Sequence, residues 1–93
     1  MREYCGIVET ISGAKTLCVS IKIGTSFHPR YILLNNVLPI DAMACQQWLE
    51  SNVKGKSVYF YAINTNRLGQ YISDVECDGF DIGQELIKLG FAE

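Results

Sequence analysis

Val53-Lys54-Gly55-Lys56-Ser57-Val58-Tyr59-Phe60-Tyr61-Ala62-Ile63 is the stretch that decides the fold, because the apolar period changes within it from helical to strand-like. Before Gly55, Cys45, Trp48, Leu49 and Val53 share one side of a helix predicted over Asp41 to Asn52, with Gln46, Gln47 and Glu50 away from it. Pro39 can open such a helix, its missing N–H falling among the unpaired first-turn donors, and Asp41 can cap its start or complement the macrodipole. Gly55 stops the helix and turns the chain. Beyond it Val58, Phe60 and Ala62 alternate with Tyr59 and Tyr61, the pattern of a strand buried on one side.

Working outward, Tyr4 to Ile11 and Thr16 to Ile23 form a predicted hairpin about Ser12-Gly13-Ala14-Lys15, with Leu17, Val19, Ile21 and Ile23 alternating in the second strand. Gly24 to Pro29 reads as a loop, and Arg30 to Leu34 as a third strand ended by Asn35-Asn36. On the other side, Asn64 to Gly69 is a turn and Gln70 to Cys77 a fifth strand. Asp78-Gly79 turns the chain again, and a short helix carries Ile82, Leu86 and Leu89 on one face until Gly90. The order βββ-α-ββ-α, with a helix between the third and fourth of five strands, predicts the partly open Greek-key barrel of the OB fold, an α+β domain spanning residues 1–93.

Composition narrows the function. Eight Lys and Arg against ten Asp and Glu, for a net charge of −2, supply no global attraction for a phosphate backbone. Cys5, Cys18, Cys45 and Cys77 are scattered, without C-x-x-C spacing and with His28 as the one histidine, so neither a metal site nor a redox pair is expected. Each lies in an apolar run and is expected to act as a small buried hydrophobe in a reducing, intracellular setting. No run approaches the roughly 20 apolar residues that cross a bilayer, and no membrane association is expected.

Val53-Lys54-Gly55-Lys56-Ser57-Val58, Asn66-Arg67-Leu68-Gly69-Gln70, Asp78-Gly79, and Gln84-Glu85-Leu86-Ile87-Lys88-Leu89-Gly90-Phe91-Ala92 follow one another in an ordered series. That series resembles the staphylococcal nuclease-like (thermonuclease) family, most strongly over Val53 to Ala92. The family pattern is V-x-G-K-x-V into a strand, a Tyr-Gly-Arg turn, an Asp-Gly hairpin and a helix ending in Leu-x-x-Gly-Leu-Ala. The resemblance implies an OB barrel and, in active members, acidic calcium ligands, two arginines on the phosphate and a glutamate beside the attacking water. Such a set stabilises charge building on phosphoryl oxygens and orients the nucleophile.

This chain departs from that set throughout. Ser12-Gly13-Ala14-Lys15-Thr16 stands where the family has Asp-Gly-Asp-Thr, putting Lys15 among the degenerate positions. Asn35 and Asn36 stand where the second acidic ligand is expected, and no glutamate follows. Arg30 would replace the first arginine only with a one-residue slip, which turns a side chain to the other face. Gln70 replaces the arginine of the Tyr-Gly-Arg turn. The expectation is an inactive nuclease with no catalytic residue, no cofactor, no metal and no small-molecule substrate. Asp41 and His28 carry little catalytic weight, Asp41 being better used at the helix start.

The resemblance further implies a scaffold role, as in Tudor staphylococcal nuclease and related Tudor-type proteins, within RNA-silencing or RNA-processing assemblies. The gap between Leu34 and Asp41 is too short for a Tudor insertion. A protein partner is the leading expectation, with Phe27, Trp48, Tyr59, Tyr61, Phe80 and Phe91 as candidate anchors. Exposed strand edges are a second route. Weak binding of single-stranded RNA is the alternative, with Lys56, Arg67 and Tyr71 joining Tyr59 and Tyr61. The acidic run Asp74, Glu76, Asp78, Asp81 and Glu85 opposes it. A residual metal-dependent nuclease is the third reading.

Overall fold

Residues 3–35, 37–61 and 64–93 are described in a computed structural model of the chain. Three strands open it: β1 (Glu3–Ile11), β2 (Thr16–Ile23) and β3 (Ser26–Leu34), each antiparallel to the next. In β2 the alternation places Leu17, Val19 and Ile21 inside, while Ile23 emerges at the strand end. A bulge between Val8 and Thr10 lets both Val8 and Ile11 point inward from β1. β1 bends closely over β2 at Gly6, where a Cβ would strike the Ser20 carbonyl and sit 2.8 Å from Val19 Cγ1.

The predicted loop from Gly24 to Pro29 is replaced by a two-residue turn. Ile23 pairs with Ser26, and Gly24 takes the left-handed backbone (φ 64°) that a glycine-first hairpin turn needs, so the strand resumes at once. The Leu34 N–H donates to the Lys15 carbonyl and the Asn35 N–H to the Ser73 carbonyl, so the odd-numbered residues of β3 aim their backbone groups away from β2. Pro29, with no N–H, sits on that outer edge, and its carbonyl accepts from Arg30 Nη1 at 2.8 Å.

Helix α1 (Ala42–Asn52) starts where predicted, with Asp41 Oδ1 accepting from the Ala44 N–H at 3.0 Å. It buries Cys45 and Leu49, and Val53 closes it. Strand β4 (Ser57–Tyr61) pairs with β1, burying Val58 and Phe60 and leaving Tyr59 and Tyr61 outside. Ala62, also assigned to the inner face, and Ile63 lie outside the described residues.

Among the described residues the predicted five strands become eight. Asn64–Thr65 is a short β5, and the single strand expected over Gln70 to Cys77 is divided at Asp74 into β6 (Tyr71–Ser73) and β7 (Val75–Cys77). The division arises because the two halves have different neighbours: β6 runs parallel to β3, and β7 antiparallel to β4. Phe80–Asp81 forms β8 after Asp78 and Gly79, both with positive φ as a type I′ hairpin requires. The order in the mixed sheet is β5-β6-β3-β2-β1-β4-β7-β8.

Asp81 caps helix α2 (Ile82–Lys88) by accepting from the Gln84 N–H at 2.9 Å. Ile82 and Leu86 are buried, but Leu89, expected on their face, is exposed because the helix ends before it. Gly90 has a φ of 82°, its N–H donates to Ile87 and that of Phe91 to Leu86, which together make a Schellman stop. The chain then pairs back on the segment before α1, with Leu38 and Glu93 exchanging backbone hydrogen bonds. The result is a small β-rich domain with a radius of gyration of 12.2 Å, close to the roughly 12 Å of a single folded body this long. No helix among the described residues is long and apolar enough to cross a membrane.

Candidate functional site

The positions compared in the sequence with a nuclease site are engaged in local structure. Lys15 lies half-buried in the β1–β2 turn, its Nζ donating to the Val37 carbonyl at 3.4 Å. Asn35 closes β3 against Ser73, and Asn36 lies outside the described residues. Gln70 Oε1 accepts from Asn66 Nδ2 at 2.7 Å, while Asn66 Oδ1 accepts the backbone N–H groups of Leu68 and Gln70. Gln70 thus pins the turn before β6. Lys15 and Asn35 share one end of β3, whereas Gln70 is three residues before Ser73, roughly 10 Å along the strand. Among the described residues no group of three or more His, Cys, Asp or Glu side chains is placed to hold a metal ion. His28 is half-buried in β3 and Asp41 is committed to the α1 cap.

The aromatic candidates divide into two sets. Trp48, Phe80 and Phe91 are half-buried and packed on the core, Trp48 meeting Phe80 edge-on at 6.1 Å. Phe27, Tyr59 and Tyr61 are exposed. Tyr71, grouped with them in the sequence, points inward instead, stacking on Tyr4 at 5.8 Å and lying 6.2 Å from Phe60. Lys56 is held by Asp78 at 2.8 Å, and that ion pair and hydrogen bond raise its pKa. Arg67 is exposed in the β5–β6 turn. The nucleic-acid set is therefore dispersed.

Register assembles a different surface. Cys5 lies beside Tyr59, Ile7 beside Ser57 and Ser20, Lys22 beside Phe27, and Cys18 beside Tyr31, all on the side of the sheet away from the core. Phe27 is 55% exposed, Tyr59 52% and Ile7 41%. A depression of about 190 Å³ runs between Phe27 and Tyr59 over Cys5, Gly6 and Ile7. Tyr31 and Ile7 were not among the sequence candidates, although the inward pattern of Ile32 and Leu34, and of Val8, would have placed both outside. Cys5 is exposed and Cys18 half-buried for the same reason, which corrects the expectation that all four cysteines are buried.

Beyond Tyr59 the surface turns acidic. A concavity of about 370 Å³ is lined by Glu3, Tyr59, Phe60, Tyr61, Asp74, Glu76 and Asp81. Cross-strand pairing builds it: Tyr61 lies beside Glu3, Tyr59 beside Glu76, and Glu76 beside Asp81. The Tyr61 hydroxyl donates to Glu3 Oε2 at 3.1 Å, and that bond, then the charges of Glu3 and Glu76 together with desolvation, raises the Tyr61 pKa. The lining contains no basic side chain, and the one ion pair among the described residues is Lys56–Asp78, outside it.

No protein-family model matches this sequence, and no curated protein gives a significant match.

Proposed function

We propose that this chain is a catalytically inactive, nuclease-like OB domain that recruits a protein partner. The observation that carries the reading is the exposed apolar and aromatic surface in which Ile7, Phe27, Tyr31 and Tyr59 lie on one side of β1 to β4. Aromatic side chains on an otherwise polar surface are the usual anchors of protein interfaces. Support for the OB barrel comes from β6 and β7, which bond to β3 and β4 and are joined by the chain through Asp74, so the covalent link brings the two ends of the β3-β2-β1-β4 order together. The nuclease likeness rests on the sequence series from Val53 to Ala92, and an RNA-silencing or RNA-processing assembly is the setting that likeness suggests.

The inactive reading is supported by the chemistry of Lys15, Asn35 and Gln70: a cation and two neutral amides offer neither hard carboxylate ligands for calcium nor an arginine clamp. Binding is expected on the face rather than at an edge. The outermost strands β5 and β8 have two residues each, and the free part of β3 is blunted by Pro29 and Arg30.

The test is affinity purification from a reducing extract with and without ribonuclease, beside a calcium-dependent cleavage assay. Partners that resist ribonuclease and are lost in Phe27→Ser/Tyr59→Ser support the reading. Calcium-dependent cleavage overturns it, as do partners that vanish with ribonuclease and on charge reversal at Lys56 and Arg67.

A further inference from the structure

We propose that the concavity flanked by Glu3, Tyr59, Tyr61, Asp74 and Glu76 is a docking groove for an extended, arginine-bearing segment of a partner protein. The inference rests on the protein-recruiting reading and names the chemistry of the partner. It starts from the strand period. Tyr59 and Tyr61 are two residues apart on β4 and point to the same side, so their Cα positions stand roughly 7 Å apart, the repeat of alternate side chains in an extended peptide. Carboxylates border them on both neighbouring strands, Glu3 on β1, and Glu76 on β7 with Asp74 just before it.

Charge complementarity selects the occupant. The groove carries four carboxylates and no cation on a chain whose net charge is only −2, so the acid is concentrated here. Asp81 is already engaged with the Gln84 N–H and Glu3 with the Tyr61 hydroxyl. Asp74 and Glu76 are exposed, and among the described residues neither carboxylate has a hydrogen-bond or ion-pair partner. A nucleic-acid backbone is repelled by such a lining. A guanidinium is favoured over an ammonium because it can stack on a tyrosine ring while its fork meets a carboxylate with paired hydrogen bonds. Two rings at strand spacing fit Arg-x-Arg.

The test is fluorescence anisotropy of the folded domain with labelled peptides of the pattern Gly-Arg-Gly-Arg-Gly, their lysine and glutamate counterparts, and a single-stranded RNA. The arginine peptide is expected to bind more tightly than the lysine peptide, and more weakly as salt rises. It should lose about tenfold or more in affinity in Asp74→Lys/Glu76→Lys, and less in Tyr59→Ser. Should the charge-reversed pair fail to fold, Asp74→Asn/Glu76→Gln keeps the shapes and must still weaken binding. No binding of the arginine peptide, equal binding of the glutamate peptide or RNA, or affinity unchanged in both double variants overturns the groove. Ribonuclease-resistant partners that survive Asp74→Lys/Glu76→Lys overturn the groove alone and leave the recruiting role standing. Absence of any ribonuclease-resistant partner of the unaltered domain overturns both.

Discussion

The Ser73 hydroxyl, wholly buried, donates to the backbone carbonyl of Tyr61 and also lies 2.8 Å from the Asp74 carbonyl. Ser73 is the last residue of β6, where the chain leaves β3 for β4, and its own carbonyl accepts from the Asn35 N–H. One small polar side chain thus links the end of β4 to the point where the chain changes strand partner. It also holds the backbone beneath the acidic groove.

Replacing that hydroxyl leaves the Tyr61 carbonyl without its donor in a part-buried setting. Ser73→Ala is expected to cost about 1–3 kcal/mol in urea unfolding. A loss of apparent affinity for the arginine peptide should accompany it, since Tyr61 and Asp74 are both displaced. Unchanged stability would show that the hydroxyl carries no weight.

Gly6 has no room for a Cβ against the Ser20 carbonyl and Val19 Cγ1, and neither neighbour is a flexible side-chain end. Gly6→Ala is expected to force β1 and β2 apart at a cost of about 1–3 kcal/mol. Gly13→Ala, in open space, serves as the control. Equal midpoints for the two variants would remove the steric argument.

Phe60 is the largest fully buried side chain, stacked on Tyr4 at 5.4 Å with Tyr71 beyond. Truncation to alanine should cost about 3–5 kcal/mol, a large part of the 5–15 kcal/mol typical of a domain. Tyr59→Ala, on the adjacent outward position, should leave the unfolding midpoint nearly unchanged. That contrast tests the register of β4 directly.

The thiols give a pH prediction. Burial pushes the Cys45 and Cys77 thiols above the ordinary value of 9.0, with Asp41 and Asp78 adding to each respectively. Because the folded values are raised, the stabilisation is fully present below the unfolded value near 9 and is lost as pH climbs through the folded ones. Stability should therefore decline above about pH 9, and less steeply in Cys45→Ala/Cys77→Ala measured against its own neutral-pH value. At neutral pH a thiol reagent should label Cys5 first and Cys18 next, reaching Cys45 and Cys77 only on unfolding.

Where two residues lie close in the chain, their roles were legible in advance. Asp41 as the α1 cap, the inward Val58 and Phe60 against the outward Tyr59 and Tyr61, the Asp78-Gly79 hairpin and the Gly90 stop all depend on local backbone preference and on period. The Gly24 turn was missed because a loop and a two-residue hairpin share the same composition, and Pro29 disguised a strand whose free edge tolerates it. Leu89 was misplaced by one residue of helix length.

The acidic run Asp74, Glu76 and Asp81 was legible in the sequence, but its meeting with Glu3, Tyr59 and Tyr61 was not, and neither was the apolar face, for a different reason. Glu3, Tyr61 and Glu76 meet across three strands, and Tyr71 turns inward while Tyr59 and Tyr61 turn outward. The sequence by itself determined the period of each element, its caps and turns, and hence which side of each strand is apolar. Only the tertiary structure decided which strands became neighbours. Register across strands is a long-range choice made by packing, and it selects which exposed side chains share a surface.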